Sequence, residues 1–364
     1  MRQIFLLLLF FIICSSVQGQ VLKAIVADQN SHRPIADAFV FIENSSNGTA
    51  TNQAGEFELN VKGNKQLNIV FSHLNYQTSV LKWKSGDVLR DTFFLIPQEI
   101  NLQEVSVTQK ANPRLRKRRL KRFTTAFLGP DVNPNLVKIL NPEALLFKEE
   151  DQQLIAECNE PLQIENRKLG YIVQFYLEEF ELSNDDDDLK YKGRVFFQPM
   201  EGNTKAIAKF KRNRRKAYLI SSNYFFTQLV QGNIDIEVYE IGFAAINSNS
   251  EVVAYKMTAP DSLNIEKLDD YTYAIAVKEY LSVRNKSAKI QSGNTEDQSF
   301  ASSFSTDIAP LSKVQNEIAV SYLKSTTGFI LVNSYGRILN PTDIEEYGYW
   351  ANQRIAALLP FDYR

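Results

Sequence analysis

The chain has 364 residues, 44% of them hydrophobic, and its 41 Lys and Arg nearly balance 42 Asp and Glu for a formal net charge of -1. That is enough apolar material for two packed cores, and the near-neutral balance argues against a general polyanion binder. The cysteines are Cys14 and Cys158 and the histidines His32 and His73, which leaves no material for a disulfide framework or a His-rich metal centre.

Residues 1–19, MRQIFLLLLFFIICSSVQG, have the layout of a secretory signal peptide: one charge at Arg2, an apolar run from Ile4 to Ile13, then small and polar residues to Gly19. The run is about ten residues, too short to cross a hydrocarbon core of about 30 Å as a helix. The sequence therefore predicts an exported protein, periplasmic or associated with the outer membrane, cleaved after Gly19. Lipidation at Cys14 is not expected, because Ile13 precedes it where lipoprotein signals carry a small residue. No later apolar run approaches 18 residues, so no transmembrane span is expected in the mature chain. Cys158 is then alone and is expected to be an inert buried thiol.

Residues 20–108 read as a β-sandwich domain. VLKAIVAD alternates, PIADAFVFIE follows a proline, SSNGTATNQAG is turn chemistry, and EFELNV places Phe57, Leu59 and Val61 on one face. KQLNIVFSHLNY, TSVLKW, DTFFLIP and LQEVSVT follow, giving about seven short strands with Gly, Asn and Pro breaks and no helical period.

The succession Val26-x-Asp28, Pro34-x-x-Asp37-Ala38-x-Val40, Gly48-Thr49-x-Thr51-x-x-x-Gly55-x-Phe57-x-Leu59 and Ser72-x-x-x-Tyr76 resembles the carboxypeptidase regulatory-like domain, a prealbumin-like sandwich of exported Bacteroidetes-type proteins. The resemblance implies a sandwich in which Gly55 turns with positive φ, Pro34 fixes a strand entry, and Phe57 and Tyr76 fill the layer between the sheets. Asn52 stands where that family has Asp and Asn75 where it has Gly; neither departure is expected to change the fold, though an Asn in a left-handed turn costs more than Gly.

Residues 109–122 form a basic linker or helix start. Arg114, Arg116, Lys117, Arg118, Arg119, Lys121 and Arg122 fill it, and the spacing of Leu115, Leu120, Phe123 and Phe127 predicts a helix with a thin apolar stripe that stops at Gly129-Pro130. Residues 123–364 are expected to form a mostly antiparallel α+β domain. YIVQFYLEEFELS and KYKGRVFFQPM are expected to pair as a hairpin across the acidic turn Asp185 to Asp188, a helix is predicted over 213–231 with Gly232 as its stop, and a short helix over 350–358. Later strands are expected in EVVAYKM, TYAIAVKEYLSVR, IAVSYLKS and GFILVNSYGRI. This half resembles the C-terminal part of Bacteroidetes proteins that carry the same regulatory-like domain, a resemblance that brings no activity with it.

No catalytic set is expected. Neither histidine heads an HxxE or HExxH, no Gly-x-Ser-x-Gly elbow occurs, and GxxxxGK[ST] and GxGxxG are absent. The consecutive aspartates lack the spacing of a calcium loop. No cofactor, no metal and no nucleic-acid partner is expected. Two groups of residues stand out as contacts. The cations named above, with Arg214 and Arg215 in KFKRNRRKAY, suit either salt bridges to nearby carboxylates or an anionic surface such as acidic lipid headgroups. That second cluster falls near the N-terminus of the predicted 213–231 helix, where the macrodipole disfavours cations. Tyr347, Tyr349 and Trp350 beside Gly348 are a candidate exposed aromatic platform. The leading expectation is a non-catalytic cell-envelope protein, its sandwich a spacer or docking module and its second domain binding an envelope protein, glycan or anionic lipid. The alternatives are a carbohydrate-active hydrolase using paired carboxylates such as Glu178, Glu179 and Glu181, and a component associated with outer-membrane receptors.

Overall fold

The computed structural model describes residues 20–61, 66–88, 90–98, 112–130, 132–184, 188–247, 252–287 and 319–363. The expected signal peptide with Cys14, the strand expected at LQEVSVT, and Asp185 to Asp187 lie outside the described residues. The chain divides into two compact units, Met1–Thr108 with Arg194–Phe197, and Gln109–Gly193 with Gln198–Arg364.

The first unit holds β1 (Gln20–Asp28), β2 (Phe39–Ile42), β3 (Gly48–Ala50), β4 (Glu56–Val61), β5 (Gln66–His73), β6 (Tyr76–Lys84) and β7 (Thr92–Leu95). One sheet has the order β4-β1-β7 and the other β3-β2-β5-β6. Strict alternation in β4 buries Phe57, Leu59 and Val61 while Glu56, Glu58 and Asn60 face water. The sheets meet through aromatic rings: Phe71 lies 5.8 Å from Phe57 and 4.6 Å from Phe93, which makes the unit a β-sandwich. The segment Arg194–Phe197 belongs to the same unit. Asn44 N–H donates to the Val195 carbonyl at 2.7 Å and Phe197 N–H to the Ser45 carbonyl at 2.9 Å, and the Phe196 ring packs edge-on to Phe39 at 4.8 Å.

Three local expectations need correction. The turn-like SSNGTATNQAG contains β3, because Gly48 alone allows the rings of Phe39, Phe41 and Phe196 to approach; a Cβ there would meet each within 2.8–2.9 Å. Asn52 and Asn75 are not left-handed. The Asn52 side chain instead accepts from Ala54 and Glu56 N–H at 2.9 and 3.0 Å, an Asx turn that carries no strain. Tyr76 is half-buried beside His73 and hydrogen-bonded to Asp28, so it caps the layer's end, whereas Phe57 fills it. Gly55 does turn with a φ of 73°.

The second unit is mostly antiparallel. Helix α1 (Pro113–Leu128) is capped by the Asn112 side chain, which accepts from Leu115 N–H at 3.1 Å, and it ends at Gly129 as expected. Next come β8 (Val137–Ile139), β9 (Leu145–Glu150), β10 (Gln153–Cys158), β11 (Leu162–Asn166), β12 (Tyr171–Ser183) and β13 (Leu189–Pro199). They form a sheet of order β8-β11-β12-β10-β9, with β13 also paired to β12 as the expected hairpin. α1 lies on this sheet through aromatic contacts, Phe123 tilted at 4.5 Å from Phe180 and Phe127 edge-on at 4.9 Å from Phe175.

The predicted 213–231 helix is two helices, α2 (Thr204–Leu219) and α3 (Ser222–Val230). Ser221 separates them: its backbone is extended, and its hydroxyl accepts from Tyr224 N–H at 3.2 Å and donates to the Tyr218 carbonyl at 2.7 Å. A hydroxyl that competes for backbone groups ends one helix and caps the next. The remaining strands are β14 (Tyr239–Ile246), β15 (Val252–Thr258), β16 (Ile265–Lys267), β17 (Thr272–Ala276), β18 (Tyr280–Asn285), β19 (Ala319–Ser325), β20 (Phe329–Asn333) and β21 (Ile344–Gly348). TYAIAVKEYLSVR is thus two strands in different sheets, β15-β14-β18-β19-β21 and β16-β17-β20. Phe225, Phe226 and Leu229 of α3 and Trp350 close a shared core over both. The helix expected over 350–358 is two 3-10 turns, Trp350–Asn352 and Ile355–Ala357.

Phe123 is fully buried among Phe127, Phe147 and Phe180. Phe123→Ala is expected to cost about 3–5 kcal/mol of stability, read as a lower denaturation midpoint of the second unit in urea.

Candidate functional site

The basic run of α1 has two sides. Arg116, Arg119 and Arg122 recur every three residues and are half-buried. The Arg116 guanidinium donates to the carbonyls of Leu145 at 3.1 Å and Pro142 at 3.0 Å. Arg122 donates to the Ser183 carbonyl at 2.7 Å, and Arg119 bonds the Glu149 carboxylate at 3.1 Å, holding that carboxyl below its usual range. These three arginines serve the fold, since strand-end carbonyls away from water need donors. Arg114, Lys117, Arg118 and Lys121 are exposed, with Arg118 3.7 Å from Glu149.

The second cluster lies inside and toward the end of α2, whose N-cap is Asn203, not at a helix N-terminus. The macrodipole therefore favours these cations. One of them is structural: Arg214 donates to the carbonyls of Leu169 and Gly170, each at 2.6 Å, and its guanidinium lies 3.8 Å from the Tyr171 ring centre. Phe210, the buried residue of α2, rests against Gly170, where a Cβ would come within 2.3 Å of its ring. On the outer side Lys205, Lys209, Lys211, Arg212, Arg215 and Lys216 are all exposed. None has a carboxylate partner among the described residues, and α2 itself contains no acid. The salt bridges expected as one reading of this cluster are not made.

The aromatic platform is not assembled. Trp350 is only 5% exposed, its indole N–H donating to the Ile220 carbonyl at 3.0 Å and its backbone N–H to the Ser321 hydroxyl at 3.0 Å. It packs on Phe225 and Phe226, so the apolar core claims it. Tyr349 packs partly buried against that core, and Tyr347 stays exposed beside Tyr280.

Trp350 instead contributes to the wall of a cavity of about 520 Å³ in the second unit. The end of α2, the start of α3, the loop after β20 and the C-terminal segment enclose it. The loop is held rigidly: the Asn333 side chain accepts from Tyr335 and Arg337 N–H at 3.0 Å each. Gly336, with a φ of 73°, sits so close to α3 that a Cβ would lie 1.9 Å from the Asn223 carbonyl oxygen. From β11, buried Asn166 donates to the Ala356 carbonyl at 2.9 Å and anchors the C-terminal wall.

Glu346 of β21 is the acidic group lining this cavity. Burial pushes its carboxyl up to about 7, against the opposing charge of Arg354. The side chain nonetheless keeps solvent contact, which moderates the energetic weight of that shift. Arg354 also bonds Tyr191, whose phenol is raised by burial. Sequence reasoning missed Glu346, and no local pattern announces it, because the strand ends at Gly348 and Trp350 lies beyond it in a 3-10 turn, where alternation no longer applies. Glu179 and Glu181, weighed as catalytic carboxylates, are both engaged by Lys190, and Glu178 lies 3.6 Å from Lys192. The Cys158 thiol donates to the Glu160 carbonyl at 2.8 Å, and burial pushes it up to about 11, so it stays protonated at neutral pH.

Residues 18–107 match the family profile of the CarboxypepD_reg-like domain, the domain whose motifs the first half carries. No curated protein matches the chain. Among solved structures, a 9R-lipoxygenase from Cyanothece shares 10% identity over 60% of this chain and 49% of that one, with a TM-score of 0.17. The chain spans about half the length of that enzyme, and the likeness is too slight to carry any argument. Among the described residues no helix is long and apolar enough to cross a membrane.

Two outcomes follow from this geometry. Arg116→Ala is expected to destabilise the protein by about 1–3 kcal/mol, because two charge-assisted hydrogen bonds to carbonyls are lost, whereas Lys117→Ala stays within about 0.5 kcal/mol; urea denaturation of both variants checks the contrast. The folded-state pKa of Glu346 lies above its unfolded value of 4.5, so its ionisation favours unfolding and stability falls as pH rises from about 4.5 through 7. Glu346→Gln is expected to raise the melting temperature at pH 8 and leave it nearly unchanged at pH 4.5. Solvent screening holds the effect to about 1 kcal/mol.

Proposed function

We propose that the protein is an exported, non-catalytic component of the cell envelope whose second unit attaches to an anionic, phosphate-bearing lipid surface through the outer face of α2. The observation that carries this reading is the row of exposed, unpaired cations Lys205, Lys209, Arg212 and Lys216, spaced four, three and four residues apart on one side of the helix and flanked by Lys211 and Arg215. At a rise of about 1.5 Å per residue the row is about 16 Å long, matching a flat array of headgroups. A single-stranded nucleic acid would need interleaved aromatics for its bases, and the nearest rings, Phe210 and Tyr218, are directed to the protein.

In this reading the CarboxypepD_reg-like sandwich is a spacer or docking module. Among the described residues its sheets end in β4 and β7 and in β3 and β6, the start of β6 being bridged by Ile96–Gln98, and a partner strand would add at such an edge by main-chain hydrogen bonds. The hydrolase alternative loses its named carboxylates to lysines, and the receptor-associated alternative has no observation in its favour.

The full chain is expected to co-sediment with vesicles containing phosphatidylglycerol, to release as salt rises, and to ignore vesicles of phosphatidylcholine alone. Each cation near such a surface contributes about 1 kcal/mol, so reversing Lys205, Lys209, Arg212 and Lys216 to Glu lowers the partition coefficient by at least about a thousandfold. Unchanged sedimentation of that variant, with its melting curve intact, sinks the proposal.

A further inference from the structure

We propose that the cavity of the second unit is a binding site for a neutral mono- or disaccharide, a site independent of the cationic face of α2. Its volume of about 520 Å³ falls in the range of about 300–1,000 Å³ typical of small-ligand sites. The chemistry of its lining selects among ligands. No Lys or Arg lines it among the described residues, and the neighbouring Arg354 is engaged with Tyr191 and the Glu346 charge, so the lining favours a neutral ligand over a phosphate or carboxylate. Among the described residues no three His, Cys, Asp or Glu are grouped to hold a metal ion. A purely apolar ligand would strip water from Asn223, Gln231, Gln353 and Glu346 and offer them nothing in return.

What satisfies this lining is a ligand with apolar C–H faces and a rim of hydroxyl groups. Tyr335, Phe361 and Tyr363 provide ring faces for stacking against a pyranose. The planar carboxamides and the Glu346 carboxylate accept from, or donate to, adjacent hydroxyls in pairs. The walls are fixed before any ligand arrives: Asn333 and Gly336 set the Ser334–Tyr335 loop, Ser221 caps α3, and Trp350 is tied by both of its N–H groups. A site that is already shaped loses less entropy when it is filled.

The test is calorimetric titration of the full-length protein with glucose, galactose, mannose, N-acetylglucosamine, maltose and lactose. A Trp83→Phe background leaves Trp350 as the one tryptophan, and its emission locates the event. Saturable heat with at least one sugar is expected, together with a shift in Trp350 emission at the same concentrations. Glu346→Gln is expected to weaken binding about tenfold, the loss of one charge-assisted hydrogen bond. Ser334→Trp, which fills the cavity from its loop, is expected to abolish binding while vesicle sedimentation through α2 persists. Absence of heat and of an emission shift with every sugar overturns the proposal, as does binding that both variants leave unchanged.

Discussion

Carbonyls at the ends of buried strands need donors, and at three places in the second unit an arginine is among them. Arg116 serves the turn before β9, Arg122 the end of β12, and Arg214 the turn that leads into β12. Each guanidinium adds a donor to a backbone oxygen far away in the chain, in two cases beside a backbone N–H, that of Met200 at Gly170 and that of Leu145 at Pro142, and each bond is charge-assisted, hence stronger than a neutral one. This assignment fixes the meaning of the remaining cations. A basic run counted from the sequence mixes residues that hold the fold with residues that face solvent; only their geometry separates them.

The separation was partly legible in the sequence. Arg116, Arg119 and Arg122 recur every three residues and so share a flank of the helix whose stripe contains Phe123 and Phe127. The acceptors are carbonyls from distant turns, and no local pattern announces those. In the first unit almost all the architecture was legible, because strands with one buried face declare themselves by alternation and Gly55 by its place before β4. β3 was not, since its three residues have turn composition and exist as a strand only because Gly48 admits three aromatic rings. Asn75, which replaces a Gly, is not left-handed, and the Asn52 side chain bonds its own turn's backbone.

The second unit hid more, for reasons of the same kind. A helical period runs through Tyr218, Ser222, Phe225 and Leu229 without interruption, yet Ser221 offers the backbone a rival partner and breaks α2 from α3. Burial of Trp350 depends on α3 meeting the sheets, a contact between segments more than a hundred residues apart, as in its bond to Ile220. With Trp350 drawn into the core, the expected platform comes apart: Trp350 contributes to the wall of the cavity, Tyr347 stays exposed, and Glu346 of β21 lines the cavity.

The break between α2 and α3 also divides the chemistry. α2 turns its cations outward and contributes Ala217 and Tyr218 to the cavity at its end, so one helix borders two environments of opposite character. The outer face works by charge, long-ranged and weakened by salt over about 10 Å at 0.1 M. The cavity works by shape and short hydrogen bonds, which salt scarcely touches. Arg214 belongs to neither: its charge is committed to the Leu169 and Gly170 carbonyls and the Tyr171 ring, so it anchors α2 to the turn before β12 while the other cations of the helix face solvent.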